Sequence, residues 1–419
     1  MKKIIILSAS IKALLFASFS GTIIDKNTYE PIQNVIISDS KHSVRSDANG
    51  SFSINSKEGT YHVKAYGYRP LQFSQNQEEK IIEVESINVK ALYLTFWGAN
   101  INSKTLNRIL NIIDETDVNS IIVDVKNEYG STSYKTGFKQ ANGYGAWHSR
   151  TIKDIEKFME LMKSKNIYTI ARIVTFKDEL QASNNPDYAI KKANGEIWRN
   201  HDNMAWVDPF DKRAHDYTIA IAEDAAKVGF DEINFDYIRF PAKSGLSLLK
   251  ENTQKNRVEA ITSFLESAKQ KLRKHGVFIS VDTYGNTCWS NDDTNIGQTV
   301  TSLAKHADYI APMLYPSGFA NGALGYKHPS EHPHAVIYKS IENIKDKIDV
   351  ARIRPWLQYF KDYAHKKRYY RKFEVNEQMR AANEINTNGW MMWSPSSKYH
   401  SYYLKDTIYA SSDTQENEL

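Results

Sequence analysis

The sequence predicts an α/β protein in which a (β/α)8 barrel, or TIM barrel, is preceded by a small all-β sandwich domain. Three observations support this prediction. The chain has 419 residues, which exceeds one average domain. From Lys90 onward, short apolar runs alternate with stretches of helical periodicity, as in parallel βα units. Before that point the apolar segments are short and separated by turn residues, which is typical of a small β-domain.

The first 20 residues predict a secretory signal. Lys2 and Lys3 precede an apolar stretch, and small residues stand just before Gly21, where we expect cleavage. The mature protein is therefore expected to be periplasmic or secreted. The alternative is a buried first strand or helix, and Lys12 favours that alternative because it interrupts the apolar stretch.

Residues 21–85 contain short segments of alternating polarity. These are GTIID, NVIIS, HSVRSDANGSFSI and TYHVKAYGY, and we expect them to form a small antiparallel sandwich. The stretch from Asp47 to Gly50 tolerates left-handed backbone and predicts a tight turn. With the opening at Gly21 and the closing Gly67-Tyr68 pair, the segment resembles the carboxypeptidase regulatory-like domain. That resemblance implies an accessory module.

The barrel is predicted for residues 88–405. Its eight strands are expected in KALYLTFWG, SIIVDVKN, YTIARIVTF, EINFDYIRF, VFISVDTYG, DYIAPMLYP, IRPWLQYF and GWMMWSP. Stretches such as HDYTIAIAEDAAKVG carry apolar residues at helical spacing and predict the intervening helices. A doubly wound sheet is the alternative, but no glycine-rich phosphate loop follows the first run. Residues 406–419 are expected to be a flexible tail.

The fourth run, within GFDEINFDYIRFP, places carboxylates where a core strand should lie. Side chains alternate along a strand, so Glu232, Asn234 and Asp236 share one face. We expect that face to point into the barrel, with Asp236 at the carboxyl end, where TIM barrels place their active sites. Glu232 lies at the opposite end, and we expect it to pair with a cation such as Arg172 or Lys126 because an unpaired buried charge is costly.

Asp282 ends the fifth run and is the expected partner of Asp236. Adjacent strands lie about 4.8 Å apart, which places two carboxyls in the range of about 5–10 Å that glycoside hydrolysis uses. We expect Asp236 to be the nucleophile or base, held ionised by Arg239, and Asp282 to be the general acid with a raised pKa. A separation near 5 Å predicts retention of anomeric configuration, and one near 8 Å predicts inversion.

Further polar and aromatic residues fall at strand ends or in the loops beyond them. Flat rings with polar edges suit the faces of sugars, although tryptophans also fill the cores of large barrels. Each polar residue taken alone is as well explained by a structural role. The predicted substrate-binding residues are Trp97, Asp124, Lys126, Arg172, Asp178, Trp206, Asp208, Arg239, Gln298, Tyr315, Trp356, Gln358 and Trp393.

A series of motifs runs in order from about Lys90 to Leu404. They are VDVKN, ARIVTFKD, WVDPF, GFDEINFDYIRFP, VDTYG, IGQ, APMLYPSGF and RPWLQYF. Together they resemble a glycoside hydrolase family that is catalogued as a domain of unknown function and is related to amylase-like barrels. The resemblance implies a catalytic acid at the end of the fourth strand, which is Asp236. It also implies an acidic residue after the glutamine of the seventh strand, where this chain has Tyr359.

Other classes of protein are less well supported. The net charge of +5 is spread evenly, which argues against nucleic-acid binding. Beyond the first 20 residues, no run is long and apolar enough to predict a membrane span. A metal-dependent esterase would need clustered ligands, and the densest histidine group, at 328, 332 and 334, lies in a proline-containing loop. We therefore expect no cofactor and a polysaccharide or oligosaccharide substrate; the remaining alternative is a carbohydrate-binding protein without activity.

Overall fold

The structure, a computed structural model, describes residues 18–56, 59–74, 81–147 and 151–405. It confirms the predicted fold class, because a closed barrel of eight parallel strands with interleaved helices follows two small β-sheets. Most of the predicted signal and the predicted tail, residues 1–17 and 406–419, lie outside the described residues. Within the described ranges, no helix is long and apolar enough to cross a membrane.

Seven strands form the two N-terminal sheets, in the orders β4-β1-β7 and β3-β2-β5-β6. The pairing is antiparallel except between β1 and β7, which run parallel, so the predicted all-antiparallel arrangement is wrong for this pair. The strands are β1 (Ser18–Asp25), β2 (Ile36–Ser38), β3 (Ser43–Arg45), β4 (Ser51–Asn55), β5 (Thr60–Lys64), β6 (Leu71–Ser74) and β7 (Ile81–Val84).

One apolar cluster joins the two sheets. Ile23 and Ile54 from one sheet and Ile37 and Val63 from the other are fully buried in it. The predicted turn is present, since Gly50 has a φ of +72° and its amide donates to the carbonyl of Asp47. This turn connects β3 of one sheet to β4 of the other.

Strand β1 begins upstream of the predicted cleavage point. Ser18 to Ser20 pair with β4, and the ring of Phe19 stacks on Tyr61 with 5.1 Å between the ring centroids. Cleavage before Gly21 would therefore remove three paired residues of this strand.

The barrel strands close in the order β8-β9-β10-β12-β14-β15-β16-β17, and all eight lie in the predicted apolar runs. The short strands β11 and β13 pair with each other outside the barrel. The bounds are β8 (Lys90–Leu94), β9 (Ser120–Lys126), β10 (Tyr168–Val174), β11 (Lys191–Lys192), β12 (Glu232–Asp236), β13 (Leu246–Ser247), β14 (Phe278–Tyr284), β15 (Tyr309–Met313), β16 (Trp356–Gln358) and β17 (Trp390–Trp393).

Helices cover the outside of the barrel. The helix predicted from HDYTIAIAEDAAKVG is α5, and its ends follow from local chemistry: the Asp211 side chain caps its first turn, and Gly229, with a φ of +104°, ends it in a left-handed conformation. The helices are α1 (Lys104–Glu115), α2 (Lys139–Gly143), α3 (Ile155–Ser164), α4 (Glu179–Asn184), α5 (Lys212–Val228), α6 (Gln254–Leu272), α7 (Val300–Leu303), α8 (Pro333–Glu342), α9 (Lys372–Glu384) and α10 (Ser401–Leu404).

Strand β12 divides its side chains between the two faces as predicted. Ile233 and Phe235 belong to the apolar layer between strands and helices, and the Phe235 ring packs edge-on against Phe264 of α6. Glu232 and Asp236, with the opposite parity, make their contacts inside the barrel. The alternation of the strand therefore directs its carboxylates to the interior.

Glu232 lies in a buried ion pair at the amino end of the barrel. The predicted pairing with a cation is confirmed, but the cation is neither Arg172 nor Lys126: both carboxylate oxygens of Glu232 accept hydrogen bonds from Nη1 of Arg354, at 3.0 and 2.7 Å. The hydroxyl of Tyr168 also donates to Glu232, at 2.9 Å. Arg354 precedes β16, so this contact joins opposite sides of the barrel.

The N-terminal domain packs against the same amino end. Lys64 at the end of β5 pairs with Asp308 at 2.8 Å, just before β15. Next to it, the ring of Tyr66 packs edge-on against Tyr309, with 5.8 Å between centroids, and lies under the guanidinium of Arg352. The opposite end of the barrel is left open.

We expect Glu232→Gln to destabilise the fold, because it leaves the charge of Arg354 buried without a carboxylate. Removing one partner of a buried pair costs about 3–5 kcal/mol. The free energy of unfolding from urea denaturation measures this loss. Replacing both residues, as Glu232→Gln with Arg354→Met, should restore part of it, and the exposed Glu259→Gln of α6 serves as a control. A loss no greater than in the control would contradict the prediction.

Candidate active site

A cavity of about 320 Å³ opens at the carboxyl end of the barrel. Both predicted catalytic residues and five predicted substrate-binding residues line it. The complete lining is Arg172, Asp236, Tyr237, Arg239, Asp282, Tyr284, Gly285, Asn286, Met313, Tyr315, Gly318, Phe319, Trp356, Tyr363 and Trp393.

Asp236, the last residue of β12, is held as a carboxylate by surrounding donors. Its Oδ2 accepts hydrogen bonds from Nη2 and Nε of Arg172, at 2.5 and 3.1 Å. Its Oδ1 accepts from the backbone amide of Tyr237 at 2.5 Å. The cation that pairs with Asp236 is therefore Arg172, whereas Arg239, which the sequence suggested for this role, interacts with Asp236 without forming an ion pair in the described ranges.

Arg172 connects Asp236 to a second carboxylate beneath the cavity. Nη1 of Arg172 donates to Asp124 at 2.6 Å, and the hydroxyl of Tyr93 donates to the other oxygen of Asp124 at 3.1 Å. Burial opposes the charge of Arg172, but Asp124 and Asp236 raise its pKa well above the usual value. Burial raises the pKa of Asp124 to about 6, against the opposing effect of Arg172.

Asp282 differs from Asp236, because no cation pairs with it in the described ranges. Its Oδ1 accepts hydrogen bonds from Nε1 of Trp356 at 2.7 Å and from Nδ2 of Asn234 at 2.8 Å. Burial, followed by the nearby charge of Asp236, raises the pKa of Asp282 well above its usual value. The protonated acid is therefore favoured, with Oδ2 left to carry the proton.

The barrel register brings the two carboxylates together. Phe235 of β12 pairs with Val281 of β14, so Asp236 and Asp282 each stand one residue beyond a paired position on adjacent strands. One carboxylate forms an ion pair with Arg172, whereas burial and the charge of that first carboxylate raise the pKa of the other. Such a pair can supply a nucleophile or base together with a proton donor.

Aromatic side chains form much of the cavity wall. The ring of Trp393 lies 5.6 Å from that of Trp356, edge to face, and Tyr315 lines the cavity beside them. At the mouth, Tyr284 and Tyr363 are about half exposed, which leaves their rings accessible to a ligand. The site therefore combines two carboxyls with apolar faces suited to sugar rings.

The loop after β12 contains the most strained residue of the site. Tyr237 has a φ of +48°, a left-handed conformation that bulky residues rarely adopt. Its ring packs edge-on against Trp206, which is buried behind the cavity. The guanidinium of Arg239 lies 5.1 Å from the centroid of each ring.

Both predicted glutamines lie behind the cavity and hold its loops. Nε2 of Gln298 donates to the carbonyls of Ile238 and Asp282, and its Oε1 accepts from the amide of Tyr284. Oε1 of Gln358 accepts from the amide and hydroxyl of Ser317. These contacts connect loops that carry residues of the cavity wall.

Eight predicted substrate-binding residues lie outside the cavity lining, of which Asp124, Trp206, Gln298 and Gln358 are described above. Lys126 and Asp178 pair with each other at 2.8 Å and are both fully buried. Asp208 accepts hydrogen bonds from the amides of two loop residues, Phe210 and Leu249. Trp97 is 59% exposed and does not line the cavity.

Lys126 lies outside the cavity because of a bulge in the pairing of β9 with β10. The pairing of β9 with β10 shifts by one residue, from Asp124 opposite Arg172 to Lys126 opposite Ile173. This bulge reverses the alternation, so Lys126 shares the outward face of Ile173. Sequence alternation alone placed it with Asp124.

The sequence did not single out Asn286, Met313, Phe319 and Tyr363, which also line the cavity. Three of these four belong to loops or short 3-10 segments beyond the strands, where strand alternation has no predictive value. The aromatic-rich LQYFKDY segment was the available signal for Tyr363. Tyr359, where the family resemblance implied an acid, is buried away from the cavity, against Tyr399.

The three loop histidines face different partners. His328 stacks on His365, His332 stacks on Tyr326, and His334 contacts Glu384 at 2.6 Å. Across the described ranges, no group of three or more His, Cys, Asp or Glu side chains is arranged to hold a metal ion.

The fold and cavity define a TIM barrel of the glycoside hydrolase type, with paired carboxyls at the carboxyl end. A sequence profile described as "Putative glycosyl hydrolase domain" matches residues 91–399, which is most of the chain. The chain belongs to this family. The match begins at the barrel, so the relationship of residues 21–85 to carboxypeptidase regulatory-like domains stays a prediction.

Comparison with solved structures found several similar chains, and the PgaB (BpsB) domain shares the fold. A hypothetical protein from Ruminiclostridium thermocellum is 36% identical over 46% of this chain and 96% of its own, with a TM-score of 0.42. The glycoside hydrolase domain of PgaB (BpsB) from Bordetella bronchiseptica is 12% identical over 77% of this chain and 99% of its own, with a TM-score of 0.53. A chitinase from Bacteroides thetaiotaomicron is 12% identical over 80% and 100%, with a TM-score of 0.47. A search of curated proteins found no match.

Asp236→Asn and Asp282→Asn should differ in their effect on stability. Asparagine at 236 weakens the ion pair of Arg172, and hydrogen bonds to charged groups contribute about 1.5–3 kcal/mol. Asparagine at 282 can still accept from Trp356 and Asn234. Because the folded-state pKa of Asp282 is raised, the wild type loses stability as the pH rises through that pKa, and the uncharged variant does not.

Urea denaturation at pH 5 and pH 9 measures both effects. We expect Asp236→Asn to be less stable than the wild type at both values. Relative to the wild type, Asp282→Asn should be more stable at pH 9 than it is at pH 5. Equal losses for the two variants at both pH values would contradict this assignment of charge.

Proposed function

We propose that this protein hydrolyses glycosidic bonds of a polysaccharide, with Asp282 as general acid and Asp236 as nucleophile or base. The observation that carries the proposal is the opposite charge preference of two neighbouring carboxyls inside one aromatic cavity. Membership of the glycosyl hydrolase domain family supports the same class of reaction. The PgaB domain, which shares the fold, is itself a glycoside hydrolase domain.

The reaction needs a proton for the leaving group and electron density at the anomeric carbon. Asp282 donates its proton to the glycosidic oxygen as the bond from that oxygen to the anomeric carbon breaks. Asp236 either attacks the anomeric carbon from the opposite face or removes a proton from a water that attacks there. In the first case, a water activated by the Asp282 carboxylate then releases the sugar and restores the proton of Asp282.

Arg172 and the aromatic wall have supporting roles in this proposal. Arg172 keeps Asp236 charged and orients its Oδ2, which prevents the two carboxyls from sharing a proton equally. Trp393, Tyr315 and the exposed faces of Tyr284 and Tyr363 would stack against sugar rings. Gln298 and Gln358 would act only by positioning the loops.

Export is part of the proposal and depends on the sequence of residues 1–20. Polysaccharides outside the cytoplasm are then the substrates to test first. The N-terminal sheets contribute no residue to the cavity lining, so we assign them an accessory role.

Activity should be measured as reducing ends released from a panel of bacterial and plant polysaccharides. Asp236→Asn and Asp282→Asn should each lower kcat/KM by at least about 10²-fold, the lower range for loss of an acid or base catalyst. Asp117→Asn, an exposed aspartate at the amino end of the barrel, is the matched control and should retain activity. The anomeric form of the first product, observed by NMR, distinguishes a nucleophilic from a basic Asp236.

The rival function gives a different pattern. A carbohydrate-binding protein without activity would bind one polymer of the panel, release no reducing ends, and keep its affinity when Asp282 is replaced by asparagine. That result would remove the catalytic roles of both aspartates.

The pH dependence of kcat/KM provides a separate test of the general acid. Since burial and Asp236 raise the pKa of Asp282, activity should be lost at high pH as this group deprotonates. The hydrogen bond from Trp356 favours the charged form, so Trp356→Phe should move the alkaline limb to higher pH. An unchanged limb, or a shift to lower pH, would contradict the assignment.

A further inference from the structure

Arg239 differs from the three buried arginines of the described ranges. Each of those three is matched by a carboxylate: Arg172 by Asp236, Arg257 by Asp293, and Arg354 by Glu232. Arg239 is half-buried in the cavity wall, and no carboxylate within the described ranges forms an ion pair with it. Its hydrogen bond is from Nη1 to the carbonyl of Phe240, at 3.1 Å.

The position of Arg239 is set by its neighbours. Ile238 and Phe240 are buried on the protein side of the loop, so Arg239, between them, faces the cavity. Its guanidinium lies over the rings of Trp206 and Tyr237, which restrain the plane of the group. The donors of a guanidinium lie in that plane, and most of those of Arg239 have no protein acceptor.

The other cation of the cavity lining is already paired, because Arg172 contacts the carboxylates of both Asp236 and Asp124. Burial lowers the pKa of Arg239 and the nearby charge of Asp236 opposes that effect, but Asp236 forms no ion pair with it in the described ranges. Among the lining residues, Arg239 is therefore the cation whose donors remain for a ligand. Lys177 also lies near the ring of Tyr237, at 4.9 Å, but it pairs with Asp202 and does not line the cavity.

We propose that Arg239 determines substrate specificity by binding a carboxylate carried by a sugar of the substrate. A single restrained guanidinium matches the planar, two-oxygen shape of a carboxylate and can bind it with two hydrogen bonds. The substrate class is thus an acidic saccharide, with the carboxylate either at C5, as in a hexuronic acid, or on a lactyl ether, as in muramic acid. This inference rests on the proposed function for the identity of the ligand as a sugar.

Binding is tested without turnover, by calorimetry on the Asp282→Asn protein. The probes are hexuronic acid oligosaccharides and glycan strands with free lactyl carboxyls, each beside the same compound with its carboxyls reduced to alcohols. We expect one acidic probe to bind at least 10-fold more tightly than its reduced form, since hydrogen bonds to a charged group contribute about 1.5–3 kcal/mol. Arg239→Met should abolish that difference while leaving affinity for the reduced probe unchanged.

Two further measurements keep the outcome interpretable. Arg239→Lys keeps the charge but not the paired donors, so it should keep only part of the preference for the acidic probe over its reduced form. Thermal unfolding checks that each variant is folded. Equal binding of each acidic probe and its reduced form, or a preference that survives Arg239→Met, would overturn the inference. Hydrolysis of an acidic polymer that is unaffected by Arg239→Met would also overturn it while leaving the proposed hydrolase intact. An Arg239-dependent preference for acidic probes without any turnover would support the inference and reject the hydrolase.

Discussion

The carboxyl end of the barrel depends on the buried guanidinium of Arg172. It fixes Asp236 through two donors and Asp124 through a third, and the rings of Tyr93 and Trp393 lie 5.8 and 5.3 Å away. Without this cation, the buried carboxyls of Asp124, Asp236 and Asp282 would lie near one another, and the repulsion between their charges would favour their protonated forms. Because Arg172 contacts Asp236 and not Asp282, it separates their charge states. The asymmetry that the proposed acid and base roles require follows from this placement together with the burial of Asp282.

A second buried arginine, Arg354, organises the other end of the barrel. It pairs with Glu232 near the start of β12, whereas Asp236 ends the same strand. Between these ends, Asn234 donates to Ser280 and Asp282, which gives the middle of the interior a neutral hydrogen-bonded layer. The carboxylates of β12 thus divide into one that holds the barrel together and one that faces the cavity. The residue that stabilises the barrel, Glu232, and the residue proposed for catalysis, Asp236, therefore lie at opposite ends of a strand of five residues.

The sequence was sufficient for the fold and for the centre of the site, because both depend on short-range periodicity. Eight apolar runs gave the strands, and alternation within β12 and β14 placed Asp236 and Asp282 inside. Contacts between distant segments were not predictable: Arg354, the partner of Glu232, lies 122 residues away along the chain. The bulge that turns Lys126 to the outward face of β9 is not visible in the pattern of residues. Tyr363 lies in a loop, where strand alternation gives no prediction.

The docking of the N-terminal sheets on the amino end has a consequence for how the molecule can be used. Lys64, Tyr66 and Gly67 make their contacts at the starts of the barrel strands, while the cavity opens where the strands finish. A ligand or surface bound to the far side of the small domain would therefore lie away from the mouth of the cavity. Exchanging the small domain for another would leave the lining of the cavity unchanged, because the lining residues all belong to the barrel.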